Sequence, residues 1–135
     1  MMKYFRFIPL FLFLLLIYDA MILTGVKMNG DLFTLRLISG ESWSSTWSDV
    51  LLVLGIIALY IELVKSTSSS MTTIIEHSLS VLVFIGFLVE FLVMKGTATS
   101  AFVILMLMSL LDVMAGFTIT VSTARRDFMV EPGSR

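Results

Sequence analysis

ATSAFVILMLMSLLDVMAGFTITV, residues 98–121, carries a single ionisable side chain, Asp112, in a run that is otherwise apolar, small or hydroxylic. A helix of about 20 mostly apolar residues crosses the ~30 Å hydrocarbon core of a bilayer. This run is long enough to do so. Asp112 lies near its middle, too deep for so short a side chain to reach water, and a carboxylate there needs a partner, a proton or a cation.

Three further apolar runs precede it: FIPLFLFLLLIYDAMILTGV at 7–26, DVLLVLGIIALYIEL at 49–63, and IIEHSLSVLVFIGFLVEFLVM at 74–94. The whole chain of 135 residues is 58% hydrophobic and 14% charged, with a mean hydropathy of +1.01. Soluble domains carry roughly a quarter charged residues, and one small core could not hide so much apolar surface. The bilayer must therefore be the main solvent. No alternating strand pattern supports a barrel, so the backbone has to satisfy itself as helix. The reading is an all-α integral membrane domain over 1–135, a four-transmembrane-helix bundle with spans near 7–26, 49–65, 73–95 and 98–123. The first run follows Lys3 and Arg6 like a signal peptide. Its length, Asp19 and the lack of an Ala-x-Ala-like site favour a retained span.

Lys and Arg set the orientation. With a cytoplasmic N-terminus the inner side receives Lys3, Arg6, Lys65, Arg125, Arg126 and Arg135, and the outer side Lys27, Arg36 and Lys95. Both termini are expected inside. The longest loop, 27–48, is then outside; residues 32–38 partly alternate and can form a short strand or hairpin. Trp43 and Trp47 fit an interfacial anchor role. Ser48-Asp49 reads as a helix start, residues 66–70 as a polar inner turn, Gly96 as a C-terminal cap, and Thr97 or Thr99 as the start of the last helix.

Apart from Asp49, which opens its run, the other acids and the histidine within the runs are Asp19, Glu62, Glu76, His77 and Glu90. Glu76 fits a capping box with Thr73, and Glu62 can pair with Lys65 three residues on. His77 points about 100° away from Glu76, so the two make no ready metal pair. Cysteine is absent, and no metal or cofactor is expected; haem ligation by His77, opposite a methionine or a second subunit's histidine, is the one alternative. Net charge near zero and no basic run argue against nucleic acid.

Asp112 shares a face with Ala101, Leu105, Met108, Ala115, Gly116 and Ile119, with Ser109 at its edge. Gly55 and Ala58 lie on the face of Glu62, and Ser80, Val83 and Phe87 lie between Glu76 and Glu90. Small residues on such faces let helices approach closely. By depth the groups form a sparse ladder: Glu62, Glu76 and His77 on the inner side, Asp112 central, then Asp19, with Glu90 outermost. Tyr18, Tyr60 and Ser109 are candidate hydroxyl partners. Asp112, Asp19 and Glu90 are the main candidate polar site, with Glu62, Glu76 and His77 secondary.

The segments Glu76-His77-Ser78-Leu79-Ser80, Leu88-Val89-Glu90-Phe91-Leu92, Asp112-Val113-Met114-Ala115-Gly116 and Ala124-Arg125-Arg126-Asp127 together resemble a family of small, uncharacterised proteobacterial membrane proteins with four predicted spans. The resemblance covers Glu76 to Asp127, under half of the chain. It implies a bacterial inner membrane and carries no activity. Small multidrug-resistance transporters share the length and the four helices, but their essential first-helix glutamate corresponds here to Asp19 and their surrounding pattern is missing.

No nucleophile–base motif, metal spacing or cofactor fingerprint points to an enzyme. The expected role is a non-enzymatic accessory, assembly or interaction subunit, acting as a homo-oligomer or within a larger membrane complex. The alternative is a small proton- or cation-coupled transporter or channel that works as a homo-oligomer through its intramembrane carboxylates.

Overall fold

A computed structural model describes residues 8–67 and 71–130. The elements are α1 (Leu10–Leu23), β1 (Asp31–Arg36), β2 (Ser42–Thr46), α2 (Trp47–Ser66), α3 (Met71–Val93) and α4 (Ser100–Val130). Three helical stretches, Trp47–Ser66, Ile74–Val93 and Ser100–Ile119, are long and apolar enough to cross a membrane.

The first run does not form a helix over all of 7–26. α1 has 14 residues, about 21 Å, which is short of the usual spanning length. Local chemistry fixes both ends. Pro9 stands at the N-cap in an extended conformation. At the other end Gly25 adopts φ +76°, Gly25 N–H donates to Ile22 O at 3.1 Å and Val26 N–H to Met21 O at 3.0 Å. That is a Schellman termination, which needs the left-handed conformation that glycine supplies without strain.

The loop between α1 and α2 holds a hairpin, as expected. β1 and β2 pair antiparallel, with Thr34 opposite Ser44 and Leu35 opposite Trp43. Phe33 and Trp43 meet edge to face at 5.9 Å, and the Thr34 and Ser44 hydroxyls bond at 2.9 Å on the other face. The start of α2 lies two residues before the Ser48-Asp49 expectation. Thr46 is the N-cap: its N–H donates to Asp49 Oδ2 at 2.9 Å, and its hydroxyl accepts from Asp49 N at 3.4 Å. Ser48 instead donates through its N–H and its hydroxyl to Met28 O, each at 3.1 Å.

Two other expectations shift. α3 begins at Met71, so Thr73 lies inside the helix and is not its N-cap; the Thr73 side chain and residues 68–70 of the inner turn lie outside the described residues. Lys3, Arg6, Arg135 and the Arg126 side chain, used in the charge count, lie outside them too. α4 runs to Val130, 31 residues or about 46 Å, past the expected end at 123. No glycine or proline interrupts residues 117–130, so the helix continues through its polar end. Gly96, in the turn after α3, has φ +94°, and Thr99 caps α4 by accepting from Phe102 N–H at 3.2 Å.

The helices follow one another around the bundle in the order α1, α2, α4, α3, with α2–α4 and α3–α4 the most extensive interfaces. The core draws Phe11, Leu14, Leu15 and Tyr18 from α1, Leu51 and Ala58 from α2, Val83 and Phe87 from α3, and Phe102 and Leu105 from α4. Phe102 is its aromatic hub, with ring centroids 4.9 Å from Tyr18 and 5.5 Å from Phe87. A Cβ on Gly55 would stand 2.7 Å from Leu105 Cδ2 and 2.9 Å from Met108 Sδ, so the glycine makes room for these α4 side chains against α2. Ile56, Ile57, Leu82, Leu92 and Leu111 are exposed, as expected of helix faces turned toward an apolar solvent.

Candidate functional site

The ionisable residues do not form one ladder through the bundle. They separate into a set on α2, α3 and α4 at the bundle end where α2 finishes (the inner set) and a pair on α1 and α3 toward the end where α2 begins (the outer pair).

Glu62 organises the inner set. It lies on the buried face Leu51–Gly55–Ala58–Glu62 of α2, where the spacing predicts it. Its Oε1 accepts the backbone N–H of Leu10 at 2.8 Å and Lys65 Nζ at 3.3 Å. The Lys65 pair is legible in the sequence. The bond from Leu10 is not, because it joins residues 52 apart. It gives the first N–H of α1 a charged acceptor, and an anion at a helix N-terminus is favourable.

Asp112 is 4% exposed, and its carboxyl reaches the Ser80 hydroxyl of α3 and lies near Glu62 and Lys65. The single Ser80 hydroxyl proton is donated to Glu76 O at 3.0 Å, which leaves the Ser80 oxygen facing the Asp112 carboxyl. Glu62, Ser66, Glu76, His77, Ser80, Asp112 and Gly116 line one small cavity of ≈ 10 Å³, room for about a single water molecule. Glu76 and His77 both line it, although adjacent residues lie about 100° apart around a helix. The His77 ring stacks on Phe117 with centroids 6.1 Å apart. It fits over Gly116, where a Cβ would stand 2.7 Å from Nδ1. Ser109, placed at the edge of the Asp112 face by its spacing, is 1% exposed. Among the described residues no group of three or more His, Asp or Glu converges as metal ligands.

The outer pair joins Asp19 and Glu90, whose carboxyl groups face one another within hydrogen-bonding reach. Asp19 Oδ1 and Glu90 Oε2 are buried with no hydrogen-bond donor among the described residues. Asp112 and Asp19, the two deepest acids in the sequence reading, thus belong to different sets. Of the candidate hydroxyls, Tyr18 bonds Thr99 Oγ1 at 2.6 Å and Gly96 O at 3.3 Å, and Tyr60 is exposed. The hydroxyl that Asp112 reaches, Ser80, was visible as part of the Glu76 stripe but not as a partner.

No protein-family model, curated protein or solved structure matches this chain. The chemistry of the site is therefore read from its residues alone. The inner set can cross-link three helices and the start of a fourth, and it can hold a proton or a water molecule. The indole rings of Trp43 and Trp47 are 46% and 40% exposed at the end of the bundle where α2 begins, opposite the inner set.

Proposed function

We propose that this chain is a four-span protein of the bacterial inner membrane, with both termini cytoplasmic, that serves as a non-enzymatic assembly or interaction subunit. α1, although short at about 21 Å, is read as the fourth span because its two ends lie toward opposite ends of the bundle. Leu10 at its start bonds Glu62 near the inner end of α2, and Ile22 near its finish packs on Gly96, beyond the outer end of α3. The flanking residues and a locally thinner bilayer make up the remaining length.

The observation that carries the assembly role is the use of the inner carboxylates. Glu62 and Asp112 are engaged across helices, by Leu10 and Lys65 in one case and by the Ser80 hydroxyl in the other. Polar contacts of this kind hold membrane helices together. The space between them holds about one water and does not provide a wide passage. Trp43, Trp47 and the hairpin are read as the outer interfacial anchor, and the exposed apolar faces as the surfaces that meet lipid, further copies or a larger complex.

A second reading, a proton- or cation-coupled transporter, is favoured by one observation: carboxyl groups occupy both halves of the bundle, at Asp112 and at Asp19–Glu90. Proteoliposomes separate the two. The assembly reading expects no proton or cation flux above empty vesicles, and a stable complex larger than one chain when native membranes are solubilised mildly. Flux that disappears in Asp112→Asn, with folding and assembly intact, would replace it with the transporter reading.

A further inference from the structure

We propose that Asp19 and Glu90 form a single proton-binding site, the two carboxyl groups holding one proton between their facing oxygens at the α1–α3 seam. Helix packing brings them together. Leu15 Cδ2 of α1 lies 3.5 Å from where a Cβ on Gly86 of α3 would stand, and Ile22 Cγ2 lies 3.2 Å from the corresponding point on Gly96. α1 and α3 therefore run parallel and in register. Asp19 stands one turn beyond Leu15 and Glu90 one turn beyond Gly86, so the two acids form the rung between these contacts.

The groups that could satisfy the pair are engaged elsewhere or lie away from it. The Tyr18 hydroxyl bonds Thr99 Oγ1 and Gly96 O. The Thr97 hydroxyl donates to the main-chain carbonyls of Glu90 and Met94, at 3.0 and 2.8 Å. Lys95 and Lys27 are exposed, beyond the ends of α3 and α1. Among the described residues Asp19 Oδ1 and Glu90 Oε2 are left buried without a donor. Two facing carboxylates can only accept. A single proton turns their repulsion into a short, charge-assisted O–H···O bond and lowers the charge held in an apolar setting. This site is separate from the inner set and does not depend on the assembly role, because a proton can occupy it whether or not the chain has a partner.

Dicyclohexylcarbodiimide, an apolar reagent that adds to protonated carboxylic acids, provides the test. The purified full-length chain in lipid vesicles at neutral pH is expected to take at most one adduct at this pair, on Asp19 or Glu90, located by mass spectrometry. In D19N and E90Q the new amide can donate to the remaining carboxylate, so labelling of that residue should fall by roughly tenfold, as loss of its proton to a charge-assisted bond implies. Circular dichroism confirms that each variant is helical. The wild-type measurement stands even if a variant does not fold. The proposal is overturned by a wild-type chain with no adduct at either residue, or by unchanged labelling of Glu90 in D19N. It is equally overturned if adducts form only after sodium and potassium are removed, because a metal cation would then hold the pair.

Discussion

Leu10 and Glu62 are joined by a 2.8 Å bond from a backbone N–H to a carboxylate, and the same oxygen receives Lys65 Nζ at 3.3 Å. One buried side chain thereby fixes where α1 starts relative to α2. Glu62→Ala removes the acceptor from both donors. Hydrogen bonds to charged groups contribute about 1.5–3 kcal/mol, and this variant should lose about that much stability in a denaturant titration in mixed micelles. Glu62→Gln retains a carbonyl acceptor for Leu10 and should lose less. Equal losses in the two variants would show that the contact with Leu10 contributes nothing.

Asp112 and Ser80 couple α4 to α3. A double-mutant cycle with Asp112→Ala and Ser80→Ala should give a coupling energy of about 0.5–1.5 kcal/mol, the range for side-chain hydrogen bonds between membrane helices. Additive losses from the two substitutions would show that the residues are neighbours without a bond.

The extent to which the bundle could be read from sequence depends on the range of each interaction. Glu62–Lys65, the cap at Thr99 and the face Leu51–Gly55–Ala58–Glu62 are local or periodic, and the sequence pattern contains them. The truncation of α1 at Gly25 was also encoded, since Thr-Gly-Val ends an apolar run, but hydropathy alone does not mark a Schellman turn. The partners of Glu62, Asp19 and Asp112 were not legible. Leu10–Glu62, Asp19–Glu90 and Asp112–Ser80 depend on which helices are neighbours and in what register, and apolar periodicity gives a face without naming what lies against it. An order by depth along the helices therefore does not say which acids meet.

Gly55 packs directly against the Leu105 and Met108 side chains of α4. The atoms a Cβ would meet are the ends of two flexible side chains, Leu105 and Met108, so Gly55→Ala should cost less than about 1 kcal/mol as they turn aside. Gly55→Leu cannot be accommodated by rotamer changes alone and should cost about 1–3 kcal/mol, the usual penalty for overpacking. Micelle unfolding of the two variants measures the difference. A tolerated leucine would mean that the helices separate more easily than their packing implies.

The cysteine-free chain allows topology to be mapped with single cysteines and a membrane-impermeant maleimide. Ser39 lies in the hairpin turn, which Thr46 and Asp49 tie to the start of α2, and Ser122 is exposed on α4 beyond its apolar window. α2, α3 and α4 alternate in direction, so the two serines fall on opposite sides if all three helices span. We expect Ser39→Cys to react in intact cells and Ser122→Cys only after permeabilisation; exchanged reactivities would invert the orientation. Met2→Cys then tests the first helix. If α1 spans, this cysteine is protected in intact cells like Ser122→Cys. Reaction alongside Ser39→Cys would mean that α1 enters and leaves on the outer side, leaving three spans and detaching the Leu10–Glu62 bond from the inner end of the bundle.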